Sequence, residues 1–206
     1  MKKLLSLLLA IITTLSLSLA LYSCGDEEED EVSIPEDAYV EISVVDYGKI
    51  IVFLDGDAAP VTVTNFLNLV NDGFYNGLTF HRIIKDFMIQ GGDPNADGTG
   101  NSNKKIKGEF AANGYNNPIS HERGVISMAR SNDYNSASCQ FFICNADAKS
   151  SLDGLYAAFG HVVEGMDVVD YITDRCAKYG NDNGTIEWKA KQPVIEYIKV
   201  LENYGE

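Results

Sequence analysis

Short runs of β-branched and aromatic residues, separated by segments rich in glycine, asparagine and aspartate, make up most of the chain from residue 39 to residue 201. Runs of this length and composition predict strands. The first two are joined by Asp46-Tyr47-Gly48, which is typical of a three-residue hairpin loop. We expect eight strands, at 39–45, 49–54, 79–84, 87–90, 124–129, 140–144, 157–163 and 193–201.

Two segments show helical spacing instead. Pro60 stands where a helix can begin, and apolar residues follow at helical intervals until Gly73, so 60–72 predicts an amphipathic helix. Residues 165–174 repeat that spacing. Because strands outnumber helices and do not alternate regularly with them, the pattern favours an antiparallel sandwich or barrel over a parallel doubly wound sheet.

Two long polar segments, 91–107 and 177–192, are predicted to be surface loops. Loops of this length inside a compact domain are usually functional. We therefore expect at least the first of them to lie near a binding or catalytic site.

The N-terminus has the composition of an export signal. Lys2 and Lys3 precede an uncharged apolar stretch, 4–21. A retained membrane-spanning helix is the alternative, although 18 residues that include five Ser or Thr are borderline for a span. The sequence Leu21-Tyr22-Ser23-Cys24 resembles a bacterial lipoprotein box, which implies removal of 1–23 and a lipid on Cys24. We expect attachment to a bacterial envelope membrane, with the outer membrane favoured, on its periplasmic or surface face.

Charge is concentrated just after this box. Six consecutive acidic residues occupy 26–31, and we interpret 24–38 as an extended, self-repelling linker ahead of a folded domain at 39–206. Leaving out the first 38 residues changes the formal charge from −14 to −8. Such a net charge repels a phosphate backbone, so nucleic acid is not expected as a partner.

Three further cysteines, Cys139, Cys144 and Cys176, form an odd set, so at most one disulfide can join them. Cys139 and Cys144 are five residues apart around a predicted strand, which places their side chains on opposite faces. We interpret all three as small buried hydrophobic residues.

Familiar catalytic motifs are missing from the sequence. It contains no Gly-x-Ser-x-Gly, no phosphate-binding glycine loop before a helix and no His-Glu-x-x-His. The three histidines, His81, His121 and His161, are about forty residues apart, and none has a ligand-type neighbour at metal-binding spacing. Metal catalysis and a cysteine nucleophile therefore have little support.

Polar residues within the apolar stretch 80–93 are stronger candidates for a functional site than the histidines or cysteines. Arg82 and Gln90 lie on two adjacent predicted strands and have the same parity, so with an undisturbed pleat both reach one face together with Met88. This arrangement would place a single guanidinium on an apolar surface. The alternative is a structural ion pair between Arg82 and Asp86 or Asp93.

The stretch Phe80-His81-Arg82-Ile83-Ile84-Lys85-Asp86-Phe87-Met88-Ile89-Gln90-Gly91-Gly92-Asp93 resembles the signature of the cyclophilin family of peptidyl-prolyl isomerases. Further blocks in the same order are similar to the remaining motifs of that family. They lie at 97–100, 108–110, 124–130, 136–143, 152–154 and 158–166. The resemblance implies a mainly β fold, a closed eight-stranded antiparallel β-barrel capped by two α-helices.

The resemblance also implies roles for individual residues. Arg82 would be the catalytic arginine, and the other site residues would bind substrate. The proline pocket would be formed by Phe87, Met88, Phe142 and Leu152; Gln90 and Gln140 would hold the substrate backbone or Arg82; Arg130, Ser131 and Tyr156 would complete the substrate-facing surface. The spacing between Arg130 and Gln140 implies a one-residue insertion relative to the shorter form of the family.

The chain departs from the family pattern at two positions. Ser151 stands where many members carry Trp or Phe, and Tyr156 stands where eukaryotic members carry His. The only tryptophan, Trp188, lies outside the motifs, and we interpret it as a packing residue.

These features together predict a lipid-anchored, monomeric peptidyl-prolyl cis-trans isomerase that acts on X-Pro bonds of exported polypeptides without a metal or other cofactor. A binding module or adhesin that keeps the proline pocket but has no turnover is the alternative.

Overall fold

The computed structural model describes residues 37–202 and Tyr204. The expected signal peptide, Cys24 and nearly all of the acidic linker lie outside these residues. No helix among the described residues is long and apolar enough to cross a bilayer.

Eight antiparallel strands form one sheet within the described residues, in the order β3-β4-β6-β5-β7-β2-β1-β8. Their bounds are β1 Ala38–Val44, β2 Gly48–Leu54, β3 Thr79–Ile84, β4 Met88–Asp93, β5 Val125–Met128, β6 Phe141–Cys144, β7 Ala158–Glu164 and β8 Ile195–Leu201. All eight strands predicted from the sequence are therefore present, with ends that shift by a few residues.

Three α-helices accompany the sheet within residues 37–202. They are α1 Pro60–Asn71, α2 Lys149–Leu152 and α3 Met166–Cys176. The first and third confirm the helices predicted from spacing. Helix α1 packs against β8, and α3 packs against β2 and β3. The single turn of α2 was not predicted, because four residues are too short to show helical periodicity.

The start of α1 depends on a carboxylate supplied from elsewhere in the chain. Pro60 has no N–H to satisfy, and Ala59 before it provides no side-chain cap. The backbone N–H groups of Val61 and Thr62 donate to Glu109 at 3.0 and 2.8 Å. A negative charge at a helix N-terminus is stabilised by the helix dipole, which explains why buried Glu109 can remain in the interior.

Aromatic rings fill the space between α1 and the concave face of the sheet. Phe66 of α1 packs edge to face on Phe141 at 5.5 Å and lies 5.2 Å from Phe159. All three rings are fully buried. Burial of one such side chain contributes about 1.5–3 kcal/mol, so this cluster fixes the helix against the strands.

The expectation of a fully closed barrel needs correction. The two edge strands, β3 and β8, meet only near one end, through an isolated bridge between Thr79 and Val194. The backbone N–H of Phe80 donates to Pro193 just beside it. The sheet is therefore a curled half-barrel, because beyond this contact β3 pairs with residues 184–186, through the Arg82–Thr185 bridge, and not with β8.

Strand β4 also continues three residues beyond its predicted end at Gln90. Two consecutive glycines signal a loop in sequence, yet here they allow close packing inside the sheet. A Cβ at Gly91 would lie 2.9 Å from the Phe80 ring, and one at Gly92 would lie 2.7 Å from the carbonyl of Cys139. The glycines are required by tight packing, whereas the sequence pattern associates them with a turn.

The three cysteines of the domain are free and buried, as expected. Cys139 packs in the main core, and Cys144 packs in a smaller cluster with Met88 and Phe142. The predicted placement of these two thiols on opposite sides of the sheet is thus confirmed.

Candidate active site

Arg82 and Gln90 face each other across the β3–β4 ladder. The guanidinium Nη1 donates to Gln90 Oε1 at 3.1 Å and lies 3.9 Å from the Met88 sulfur. The ladder shifts register between Phe80 and Arg82, but beyond the shift Ile84 pairs with Met88 and the polar pair stays on one face. The common face predicted from parity is confirmed.

The positive charge of Arg82 has no acidic partner among the described residues. Its Nε donates to the carbonyl oxygen of Asn183 at 2.8 Å. Asp93, one of the two alternative partners, accepts backbone N–H groups of Asn95 and Asp97 instead. Burial lowers the pKa of Arg82, although a guanidinium still stays protonated near neutral pH. The site thus holds a half-buried, uncompensated cation.

A hydrogen-bonded relay fixes the orientation of this cation. Gln90 Nε2 donates to Gln140 Oε1 at 2.9 Å, and Gln140 Nε2 donates to the carbonyls of Gly98 and Gly100 at 3.1 and 2.8 Å. The relay connects Arg82 to the glycine-rich 91–107 segment. That segment was predicted to be functional, and it lies directly beside the site.

A cavity of about 390 Å³ lies next to the guanidinium. Its apolar wall contains Met88, Phe142 and Leu152, which are 1%, 4% and 5% exposed. The ring of Tyr156 stands edge to face on Phe142 at 6.0 Å. The lining residues are Arg82, Phe87, Met88, Gln90, Ala129, Arg130, Phe142, Ser151, Leu152 and Tyr156. An apolar cavity with one cation at its edge suits a small ring with a polar bond next to it.

Buried polar groups support this cavity from below. The imidazole of His121 stacks on Phe142 at 6.2 Å, with its Nδ1 2.9 Å from Asp153 Oδ1 and its Nε2 3.0 Å from Ser127 Oγ. The groups are those of a hydrolase triad, but Ser127 is fully buried and no substrate can reach it. The network therefore holds Phe142, and Leu152 beside Asp153, in place.

Burial also governs the protonation of this network. Burial lowers the pKa of His121 although Asp153 opposes the shift, so the ring is neutral at pH 7. For Asp153, burial acts to raise the pKa, but hydrogen bonds from Ser120 and His121 outweigh it and lower the pKa overall.

A second cavity of about 260 Å³ adjoins the first and shares Gln90, Ala129 and Arg130 with it. The guanidinium of Arg130 lies 4.7–5.2 Å from three ring centroids, those of Phe110, Tyr134 and Tyr156. It also donates to the carbonyls of Leu155 and Ser131. These contacts hold Arg130 as a rigid wall between the two cavities.

The structure brings all of the predicted site residues to this surface. Eight line the first cavity, namely Arg82, Phe87, Met88, Gln90, Arg130, Phe142, Leu152 and Tyr156, while Ser131 and Gln140 line the second. Ser151, the main departure from the family pattern, is exposed at the rim of the first.

Two features of the site region differ from the sequence analysis. Asn183 was missed as the partner of Arg82, because it acts through a backbone carbonyl that every residue carries. Trp188 was wrongly interpreted as a packing residue: it is 65% exposed, with the Lys191 ammonium 4.9 Å from its ring.

Comparison with known proteins agrees with this geometry. Residues 39–200 match the family model of cyclophilin type peptidyl-prolyl cis-trans isomerases. Peptidyl-prolyl cis-trans isomerase A of Dickeya dadantii is 40% identical over 162 residues, which cover 75% of this chain and 80% of that protein. Peptidyl-prolyl cis-trans isomerase B of Bacillus subtilis is 43% identical over 122 residues, which cover 59% of this chain and 81% of that protein.

Solved structures show the same relationship. The crystal structure of a cyclophilin type isomerase from Cryptosporidium parvum, determined in the presence of the dipeptide Ala-Pro, superposes with a TM-score of 0.69 and 27% identity. The match covers 80% of this chain and 99% of that one. The strands, the cavity beside Arg82 and the family match over 39–200 lead to one conclusion: the chain belongs to the cyclophilin family of peptidyl-prolyl cis-trans isomerases.

Proposed function

We propose that the cavity beside Arg82 holds the proline ring of a polypeptide substrate and that the guanidinium accelerates rotation about the preceding X-Pro bond. The observation that carries this proposal is the half-buried guanidinium of Arg82, which has no carboxylate partner in the described part of the chain and lies at the edge of an apolar cavity. The Cryptosporidium parvum structure, determined in the presence of the dipeptide Ala-Pro, supports a proline-containing ligand.

The reaction itself explains why these groups suffice. Rotation about a peptide bond has a barrier of about 18–20 kcal/mol, and unaided X-Pro isomerisation takes roughly 10–100 s. No covalent bond is made or broken. A catalyst needs only to favour the twisted amide, in which conjugation is lost and the prolyl nitrogen becomes pyramidal and basic, over the planar amide.

Each part of the site has a role in this process. Phe87, Met88, Phe142 and Leu152 grip the pyrrolidine ring and exclude water from the bond. The Arg82 guanidinium donates to the nitrogen lone pair that exists only in the twisted state. Gln90 and Gln140 keep the guanidinium oriented, so that little reorganisation is needed during rotation.

Further along the substrate, Arg130 and Ser131 contact the polypeptide backbone next to the proline, and Tyr156 closes the pocket. Ser131 lies at the rim of the second cavity, where a chain leaving the first cavity would pass.

We further propose that the enzyme acts as a monomer on exported polypeptides and that a lipid on Cys24 holds it at a membrane of the bacterial envelope. The apolar stretch 4–21, the box ending at Cys24 and the acidic linker support this location.

Exchange spectroscopy by NMR on an X-Pro peptide separates catalysis from binding. With a catalytic amount of the purified chain, we expect exchange cross-peaks between the cis and trans resonances at mixing times too short for uncatalysed rotation. A peptide with alanine in place of proline should show neither exchange nor shifts. Peptide shifts without accelerated exchange would instead identify a binding module and overturn the proposal.

A further inference from the structure

A third cavity, of about 540 Å³, is lined by residues that belong to neither of the two cavities at Arg82. It lies between the β1–β2 turn, the C-terminal end of α3 and the 190–194 segment. We call it the cationic pocket, after the three side chains that dominate it, Arg175, Lys178 and Lys191.

Among the residues that the structure describes, these three cations lack acidic partners. No ion pair within the described part of the chain includes any of them, whereas Lys49, Lys85, Lys149 and Lys199 all pair with carboxylates. The pocket has a single acidic lining residue, Asp46. Nearby Asp174 pairs with Lys85, and Glu187 accepts a hydrogen bond from Asn181. Three unpaired cations thus line one pocket in a domain with a net charge of −8.

Exposed aromatic rings surround the same charges. Arg175 lies 5.3 Å from the ring of Tyr171, and Lys178 and Lys191 lie 5.2 and 5.3 Å from the ring of Tyr179. Tyr171, Tyr179 and Trp188 are 46%, 40% and 65% exposed. Exposed apolar side chains clustered in this way mark interaction sites more often than isolated ones do.

The base of the pocket is preformed. The Tyr47 hydroxyl lies 3.0 Å from the Cys176 sulfur. Gln192 is buried, and its amide donates to the carbonyls of Ala96 and Ile186. A fixed base means that a ligand would lose little affinity to reordering of the protein.

We infer that the cationic pocket is a binding site for an acidic polypeptide segment, distinct from the proline site. Aspartate or glutamate carboxylates would pair with Arg175, Lys178 and Lys191, and intervening apolar side chains would lie against the exposed rings. Extended polyanions fit less well, because the net negative charge of the domain repels a long nucleic acid or an anionic membrane surface while leaving a short segment free to enter.

The single tryptophan offers a direct test, because Trp188 borders the pocket through Lys191. The purified full chain is titrated with a proline-free hexapeptide of alternating glutamate and leucine while Trp188 fluorescence is recorded. A saturable change is expected, which weakens with added salt and is absent with the matching lysine–leucine peptide. No saturable change, or an equal response to both peptides, would overturn the inference.

Charge-matched variants locate the site. K178Q/K191Q should bind the acidic peptide roughly fivefold to tenfold more weakly, as expected for loss of two exposed ion pairs. K104Q/K107Q removes the same charge from exposed lysines elsewhere and should bind as the parent does. Equal weakening in both variants would contradict a defined site. Unchanged isomerisation of a neutral X-Pro peptide by K178Q/K191Q verifies that it is folded.

Other anions are tested in parallel. Inorganic phosphate and phosphatidylglycerol vesicles are titrated under the same conditions. A response to either one that depends on Lys178 and Lys191, together with no response to the acidic peptide, would replace the inferred polypeptide with a phosphate-bearing ligand and overturn the inference.

Discussion

The charge of Arg82 is not neutralised by any acidic group among the described residues. Its hydrogen-bond acceptors, the Gln90 amide oxygen, the Met88 sulfur and the Asn183 carbonyl, are all neutral. Neutral acceptors orient a guanidinium without cancelling its charge, whereas a carboxylate would do both. The charge therefore stays available for a basic nitrogen that forms during bond rotation.

Gln90 provides a prediction at this scale. Gln90→Leu removes one neutral hydrogen bond to Arg82, and kcat/KM should fall by roughly threefold to tenfold. Gln90→Glu places a carboxylate at the position from which the amide oxygen now contacts Nη1 at 3.1 Å. That ion pair should neutralise Arg82 and lower kcat/KM further than Gln90→Leu does.

Isomerisation kinetics on both variants, with circular dichroism to check folding, test the charge argument. If the glutamate variant is as active as the parent, the charge of Arg82 is not the feature that matters.

Strand β3 places two neighbouring side chains in opposite environments. Arg82 faces the site, while His81 is fully buried, and neither of its ring nitrogens has a hydrogen-bond partner among the described residues. Burial lowers the pKa of His81, and burial likewise lowers the pKa of His121. Both rings are therefore kept neutral by the fold.

This arrangement predicts how stability depends on pH. Below about pH 6.5 the unfolded chain takes up protons on these histidines before the folded chain does, so the free energy of unfolding should fall as the pH falls through this window. Asp153, whose pKa is also lowered, contributes a separate loss of stability, which occurs below pH 3.8.

Urea unfolding at about pH 7.5 and about pH 5.5 measures the effect. His81→Phe should lose less stability between the two conditions than the parent protein, because one of the two buried imidazoles is gone. His161→Phe, at an exposed position on β7, is the matched control and should behave as the parent does. An undiminished loss in His81→Phe would contradict this account of His81.

The element scale also shows what a sequence can and cannot predict. Periodicity located all eight strands and the two longer helices, because these depend on local spacing of apolar residues. It placed the end of β4 too early, since glycines needed for contact with Phe80 and Cys139 have the same appearance as glycines needed for a turn. Barrel closure could not be predicted either, because it depends on whether β3 pairs with β8 or with the distant 184–186 segment.

At the scale of the whole molecule, the site combines residues from three strands, β3, β4 and β6, with helix α2 and three connecting segments. The motif resemblance predicted that ten residues lie on one surface, because their order along the chain is that of a known fold. No motif indicated the cationic pocket. The composition did not indicate it either, because a net charge of −14 for the whole chain does not reveal the local cluster of Arg175, Lys178 and Lys191.

Attachment to a membrane is the prediction that concerns the whole chain. In a bacterial host with the lipoprotein pathway, the native protein should fractionate with membranes and carry lipid on Cys24 as its first residue. Cys24→Ala should abolish both properties. Mass spectrometry of the N-terminus provides the measurement, and an unmodified Cys24 or a retained stretch from Met1 to Leu21 would contradict the proposal.

The central claim is that the uncompensated charge of Arg82 stabilises the twisted amide. Its most direct test is kcat/KM for an X-Pro peptide in Arg82→Ala and Arg82→Lys, alongside peptide affinity. Loss of one donor to a transition state costs roughly a hundredfold or more in rate, so Arg82→Ala should fall by about that factor while the peptide still binds. Arg82→Lys should also be poor, because an ammonium cannot form the same planar fork. A folded Arg82→Ala protein with near-parental kcat/KM would contradict the account.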